Sequence, residues 1–436
     1  MMRNFVLICI DCLRYDFLKR SLQSSRFLSN LSESDTLFFE SAYTTAPWTY
    51  PATNSMLTGL YPHNHGACHR GIYRNSVKEP WPSTLNSKVP TIFSELKGYG
   101  FYTLGISTIF WALNENCEYH GCDRIIREWV IKSFAETYEK EIKKNPFFAY
   151  LHLCDLHRPF DLDLAVKHSS EPIQLMEGID EWDIRPHLDD SNKASQFKAN
   201  KVRLYFALID YVFAQIGELI EFLLQKNIFD DTTIIITADH GEEFWDHEEF
   251  QRQHYDCGYR SKTADHGEEF WDHEEFQRQH YDCGYRSKQE WLIGTGHGQT
   301  LFNEIVHVPL ILINPKFHLD SEAVSLPVSL VDIYPTVLEI LGIEVRSNLD
   351  GRSLLKPIAD RKILVENTLY GFERKAMIHG SVKHIYSPYE DHFAVCDLLS
   401  DPFEKHPKME RADSHIRAML DCLFAHQDQY FQGELQ

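Results

Sequence analysis

Three short apolar runs constrain this chain more than any other feature: FVLICI at 5–10, FFAYLHL at 147–153 and TTIIIT at 232–237. They are too short for self-sufficient helices and rich in β-branched or aromatic residues, the pattern of strands buried on both faces of a parallel sheet. Polar chemistry follows each one at once. Asp11 follows the first run, Asp155 and His157 the second, Asp239 and His240 the third. In an open parallel sheet the ligand site lies beyond the carboxyl ends of the strands, so these distant residues are expected to converge there. VPLILINP (308–315) reads as a further buried strand ended by Pro315, and VSLVDIYPTVLEILGI as a strand leading into a helix.

The stretch 201–225 places Tyr205, Leu208, Ile209, Val212, Ile216, Leu219 and Leu223 at helical spacing. That stripe predicts a packing helix. Residues 160–200 are mixed, acidic and weakly periodic, and read as a surface excursion covering the substrate side. With 436 residues the length allows about three domains, but α/β folds of this size also form one. We divide the chain at 1–360, a catalytic domain, and 361–436, a small C-terminal α+β subdomain. The 64 acidic and 43 basic residues give a net charge of -21, which argues against a nucleic-acid partner because that binding rests on Lys and Arg neutralising phosphates. FVLICI is too short for a signal peptide or a membrane span, so the expectation is a soluble, cytoplasmic protein without a membrane partner, its ten cysteines reduced. Cys9 and Cys12 form a C-x-x-C, yet Cys9 ends an apolar run where a redox pair normally opens a helix. The oligomeric state is not legible.

TADHGEEFWDHEEFQRQHYDCGYRSK occurs twice, at 237–262 and again at 263–288. Copy one follows NIFDDTTIII, a turn and a strand able to hold Asp239 and His240 rigidly, whereas copy two follows YDCGYRSK, which is polar. A metal site needs a rigid scaffold. Asp239 and His240 are therefore the candidate ligands, and 263–288 reads as a looped-out insert, the trace of a recent duplication or of sequence assembly. The alternative, with Asp265 and His266 in their place, stays open because copy two alone is contiguous with QEWLIGTGHGQTLFNE.

In APWTYPATNSMLTGLYPHNHGA (46–67), Pro51 suits the first turn of a helix and Gly59 its end. Thr49 then lies at a helix N-terminus, where backbone N–H groups favour an anion and a hydroxyl faces the phosphate it would attack. Taken together, IDCLRYD, TYPATNSMLTGLYPHNHG, DLHRPF, TADHGEEF, GHGQTLFNEIVHVPLIL, VDIYPTVLEILGI followed by DGRSLL, and CDLLSDPFE occur in an order that resembles the sulfatase family of the alkaline phosphatase superfamily, over nearly the whole chain. The resemblance implies an alkaline-phosphatase-like three-layer α/β/α sandwich with a mostly parallel sheet, a smaller C-terminal sheet, and a metal-dependent hydrolase of phosphoric or sulfuric esters. It further implies that Asp11, Thr49, Asp239 and His240 bind a divalent metal, and that His157 and His297 contact the transferred group or a second metal.

One departure matters. Family members that cleave sulfate monoesters carry Cys or Ser at the Thr49 position, with Arg four residues on, and oxidise it to formylglycine. Here Thr49, Pro51 and Thr53 stand instead. Thr cannot become formylglycine, so Thr49 resembles the nucleophile of the superfamily's phosphodiesterases and phosphoryl transferases. Asp and His ligands fit Mn or Zn without separating them from Mg or Ca, and one or two ions are possible. The substrate reads as a small-molecule or glycan ester. A carbohydrate sulfatase, and a relative that binds metal and ligand without turnover, remain the alternatives.

Overall fold

The computed structural model describes residues 4–22, 36–68, 83–113, 120–143, 145–254, 294–313, 324–356, 361–366, 368–369, 374–387 and 392–409. The strands are β1 (Asn4–Ile10), β2 (Thr36–Phe39), β3 (Ala42–Tyr43), β4 (Tyr102–Ser107), β5 (Arg124–Ile126), β6 (Phe147–Leu153), β7 (Thr232–Thr237), β8 (Glu243–Phe244), β9 (Thr295–Gly296), β10 (Leu310–Ile313) and β11 (Val328–Ser329). Five antiparallel strands follow: β12 (Lys362–Val365), β13 (Lys375–His379), β14 (Val382–Ser387), β15 (His392–Asp397) and β16 (Lys408–Met409).

Seven strands form the main sheet in the order β2-β10-β7-β1-β6-β4-β5. All its neighbours are parallel except β10, which runs against both β7 and β2. Every residue of β1, β6 and β7 is buried, as the unbroken apolar runs predict. Burying one large aliphatic or aromatic side chain contributes roughly 1.5–3 kcal/mol, so the five in β1 alone supply about 10 kcal/mol against chain entropy. Register then sets up the site. Ile10 pairs Leu153, and Cys9 pairs both His152 and Thr237, so β1, β6 and β7 end level and release Asp11, Cys154 and Ala238 at one edge.

The long helix runs Ser191–Gln225, ten residues further toward the N-terminus than its stripe suggested. Asp190 caps it, accepting from the N–H groups of Asn192 and Lys193, and Phe197 continues its buried face. The segment before it is less superficial than expected. Ile179, Trp182 and Ile184 are buried, and Trp182 packs against Phe244 with ring centroids 4.8 Å apart. A few large apolar residues without periodicity anchor this excursion, and periodicity is what the sequence reading followed.

The C-terminal sheet shares a second apolar cluster with the main body, in which Ile363, Ala376, Ile378 and Ile385 meet Tyr43, Leu301, Phe302 and Ile305. The division at 360 falls just before β12 and stands as a proposal. Copy one of the repeat begins at Thr237, the last residue of β7, and continues through β8 and the helix Glu248–His254. Copy two, with Asp265 and His266, lies outside the described residues. Among the described residues no helix is long and apolar enough to cross a membrane.

Candidate active site

Four side chains meet at the level strand ends. Asp11 leaves β1 with its backbone N–H donating to Leu153 O at 2.9 Å. Asp239 and His240 follow β7, where the carbonyl of Asp239 accepts from the Thr44 hydroxyl. Gly241 lets this turn lie against Glu304: its N–H donates to Ile305 O at 2.7 Å, and a Cβ there would collide with the Glu304 carbonyl. Thr49 opens the helix Thr49–Thr58, all of it buried, which ends at Gly59 in the left-handed conformation, φ 71°. Thr49 Oγ1 lies 3.2 Å from His240 Nε2. His240 Nε2 is also 3.3 Å from Asp239 Oδ2 and 3.7 Å from Asp11 Oδ1.

Here one imidazole is set against two carboxylates. His240 Nδ1 is engaged by the carbonyl of Gly241 at 2.8 Å, which places the ring proton there and turns the Nε2 lone pair toward two carboxylates. Asp239 Oδ1 accepts from the N–H groups of His240 (2.9 Å) and Cys12 (3.3 Å), while its Oδ2 is buried without a hydrogen-bond partner. Burial and the neighbouring Asp11 raise the Asp239 carboxyl above the usual range. For Asp11 burial works upward too, but the His152 hydrogen bond and the charges of His157 and His240 outweigh it and hold the carboxyl below the usual range. Against burial, which lowers it, Asp239 and Asp11 raise the His240 pKa. Two carboxylates, an imidazole lone pair and a hydroxyl aimed at one point suit a divalent cation with oxygen and nitrogen ligands. The residues present therefore fit the metal that the resemblance implies.

His157 and His297 border this point. The His297 ring lies 4.2 Å from that of His240 and 5.4 Å from that of His157, centroid to centroid. Burial, then His240, lowers the His297 pKa to about 3, so its ring is neutral. Asp155, by contrast, accepts from Gln215 Nε2 at 3.2 Å and joins none of the metal-type groups among the described residues. His65 bonds Ser55 Oγ at 3.0 Å and His63 pairs with Glu366 at 2.6 Å, so both serve structure. Arg14 is held by Asp16 and by Asp246. A cavity of about 360 Å³ lined by Arg14, Tyr15, Lys19 and His307 touches none of the four converging side chains. Thr53 is fully buried in its helix.

Residues that sequence reasoning passed over also stand here. His152, inside β6, contacts Asp11 Oδ2 at 3.2 Å through Nε2 and Tyr150 Oη at 2.7 Å through Nδ1, a chain that orients the carboxylate. The signal was a histidine within an otherwise apolar run. Glu242 is fully buried with Oε1 3.3 Å from His297 Nδ1. His297, then His157 and Arg158, outweigh the cost of burial and bring its carboxyl to about 2. Cys12 lies 3.7 Å from His297 Nδ1, and burial with Asp11 raises its thiol pKa well above the ordinary value.

Residues 3–343 match the family model described as Sulfatase. Arylsulfatase K of Rattus norvegicus is 27% identical over 168 residues, 38% of this chain and 22% of that protein, so the match spans less than a quarter of the relative's length. Arylsulfatase K of Xenopus laevis is 20% identical over 489 aligned positions, covering 92% of this chain and 79% of that protein. Among solved structures, one described as in complex with its substrate D-glucosamine-2-N,6-O-disulfate superposes with a TM-score of 0.64 at 16% identity over 99% of each chain. The phosphonate monoester hydrolase of Silicibacter pomeroyi gives a TM-score of 0.61 at 17% identity, over 98% of this chain and 94% of that one. The fold is that of these structures, and the chain belongs to the sulfatase family.

Proposed function

We propose that this chain hydrolyses phosphoric or sulfuric esters with a divalent metal, through a covalent Thr49 intermediate, and that phosphodiesters and phosphomonoesters are favoured over sulfate esters. The observation that carries the reading is the Thr49 hydroxyl 3.2 Å from His240 Nε2, beside Asp11 and Asp239. Thr49 cannot supply the formylglycine on which sulfate monoester cleavage in the family relies, and buried Thr53 offers no guanidinium.

Asp11, Asp239, His240 and Thr49 would hold the cation, which when bound would supply positive charge that favours the Thr49 alkoxide and offsets charge on the transferred group. The hydroxyl proton of Thr49 passes to solvent. Thr49 Oγ forms a bond to phosphorus as the bond to the leaving oxygen breaks in line, and that oxygen is protonated from water. His157 donates toward an equatorial oxygen of the transferred group. His297, neutral by burial, positions rather than acts as a cationic acid. Water then cleaves the phosphorus bond to Thr49 and restores the hydroxyl; an acceptor alcohol in its place would make the chain a phosphoryl transferase.

Sulfate ester hydrolysis is the second reading, favoured by family membership and by the sulfated sugar described as the substrate of one structural neighbour. Initial rates on an aryl phosphodiester, an aryl phosphomonoester and an aryl sulfate, each with Mn, Zn or EDTA, separate the two. Metal-dependent phosphoester cleavage that vanishes in Thr49→Ala is expected. Dominant sulfate release, or turnover surviving in Thr49→Ala, would overturn the reading.

A further inference from the structure

We propose that Lys201 is a positioning residue for this reaction: its ammonium templates the loop 178–183 and, through Phe160, sets where His157 stands over the strand ends. The inference rests on reading His157 as a donor to the transferred group. Lys201 lies on the buried stripe of the long helix, with Leu204, Tyr205 and Leu208, and is fully buried itself. Its Nζ donates to the carbonyls of Ile179 at 2.6 Å and Asp180 at 3.0 Å. Two aromatic rings complete the enclosure, with Nζ 3.7 Å from the Phe160 centroid and 4.4 Å from that of Trp182. Carbonyl oxygens and ring faces both present negative charge, so the enclosure suits a cation.

The loop is shaped around that ammonium. Gly178 has φ 73°, and a Cβ there would meet the Asp183 carbonyl oxygen at 2.6 Å; the Asp183 N–H donates to Gly178 O at 2.9 Å and closes the turn. Trp182 adopts φ 64°, a left-handed conformation that a bulky side chain takes only under restraint from its surroundings. Burial lowers the Lys201 pKa well below its ordinary value, against a smaller pull upward from Glu242. An apolar residue at this point of the stripe would pack without that cost. What the ammonium contributes instead is geometry, a fixed place for two carbonyls and two rings.

Both rings lead to the site. Phe160 stands three residues beyond His157 on the segment that leaves β6, and its ring lies 6.3 Å from that of Tyr205, whose hydroxyl donates to the Cys12 carbonyl. Trp182 packs on Phe244 and Trp245, at 4.8 and 5.3 Å between centroids, just past the turn that carries Asp239, His240 and Glu242. His157 is half-buried, and its Nδ1 is engaged by the Arg158 carbonyl at 2.6 Å, a contact within its own segment. The place of that segment therefore sets the place of the ring, and Lys201 fastens the segment to the helix.

The test uses the full chain loaded with manganese and an aryl phosphodiester. Lys201→Met keeps an unbranched side chain and removes its charge: kcat should fall on the order of 100-fold, the scale for a misplaced catalytic group, with KM changed less than about threefold. In a double-mutant cycle Lys201→Met should cost nothing further once His157→Ala is present, because both act through one ring. Losses that add, or an unchanged kcat in folded Lys201→Met, overturn the proposal. If Lys201→Met does not fold by circular dichroism, Phe160→Leu removes one wall of the enclosure and should couple to His157→Ala in the same way. Carbethoxylation of histidines by diethyl pyrocarbonate, mapped by mass spectrometry, needs no substrate. The rate at His157 should change severalfold in Lys201→Met while that at exposed His406 does not, and equal His157 rates in the two proteins overturn the proposal. Thr49→Ala keeps the readings apart, since turnover surviving there removes the Thr49 intermediate and leaves the carbethoxylation result untouched.

Discussion

Two buried clusters of acids and histidine lie within a few residues of each other in the first copy of the repeat, and they are built to opposite ends. Asp239 and His240 join Asp11 at the strand ends; Glu243 and His247 join Glu304 beneath the C-terminal sheet. Both sets have the donor types of a metal site: in the second the donor atoms all lie within 4.8 Å of one another, and in the first His240 Nε2 lies 3.3 Å from Asp239 Oδ2 and 3.7 Å from Asp11 Oδ1. In the second, protein donors meet the acids. Glu243 Oε1 accepts from His247 N and Gln251 Nε2, and its Oε2 from Gln251 Nε2 and Gln299 Nε2. His247 spends both ring nitrogens, on Glu304 at 2.6 Å and the Glu404 carbonyl at 2.8 Å. In the first, Asp239 Oδ2 has no hydrogen-bond partner and lies 3.3 Å from His240 Nε2. Composition and burial are alike; what separates the two clusters is whether protein donors satisfy the buried acids.

The comparison can be broken most severely at the nucleophile. Thr49→Ala should lower phosphoester turnover on the order of 10⁴-fold or more, as loss of a covalent nucleophile does, with cation content at most modestly reduced. Turnover within tenfold of wild type would mean the strand-end cluster activates water instead. Next in size, His247→Leu strands Glu304 and should cost about 3–5 kcal/mol of stability, the scale for removing one partner of a buried pair. Urea denaturation measures it, and metal content should not change. Smaller again, His152→Gln should weaken cation binding about 10-fold, as loss of an outer partner of a ligand does, visible by calorimetry on metal-free protein.

The smallest effect is a pH trend that sharpens the contrast. Burial and Glu304 raise the Glu243 carboxyl to about 8, and Glu304 with Glu243, against burial, raises His247 to about 9. Unfolded reference values are about 4.3 and 6.5. Both folded values are higher, so the folded state binds protons more tightly, and its advantage is lost as pH rises through them. Tm should therefore decline between about pH 6.5 and 9, and Glu243→Gln should flatten the decline. A Tm rising over that window in the wild type would contradict the assignment.

Much of this was legible in the sequence, for a physical reason. Strands buried on both faces are continuous apolar runs, so the ends of β6 and β7 were readable to the residue, and the polar residues just past them marked the site edge. The family reading agrees with the model match over 3–343. What stayed hidden depends on register and partners. Asp155 stands two residues past the end of β6, where Asp11 stands one past the end of β1, and it faces Gln215 on the long helix. His152 looked like strand interior because its neighbours are apolar, and its contact with Asp11 comes from strand pairing. Cys12 was judged by its spacing to Cys9, whereas its place beside His297 follows from a left-handed turn. The roles of Asp265 and His266 fall on residues the structure does not describe.

The central claim is that the strand-end cluster takes a cation and the neighbouring cluster does not. Crystals grown with manganese and measured at its absorption edge test this directly. The account predicts an anomalous peak among Asp11, Thr49, Asp239 and His240, and none among Glu243, His247 and Glu304. A peak at the second cluster, or an empty first cluster with metal in excess, would contradict it.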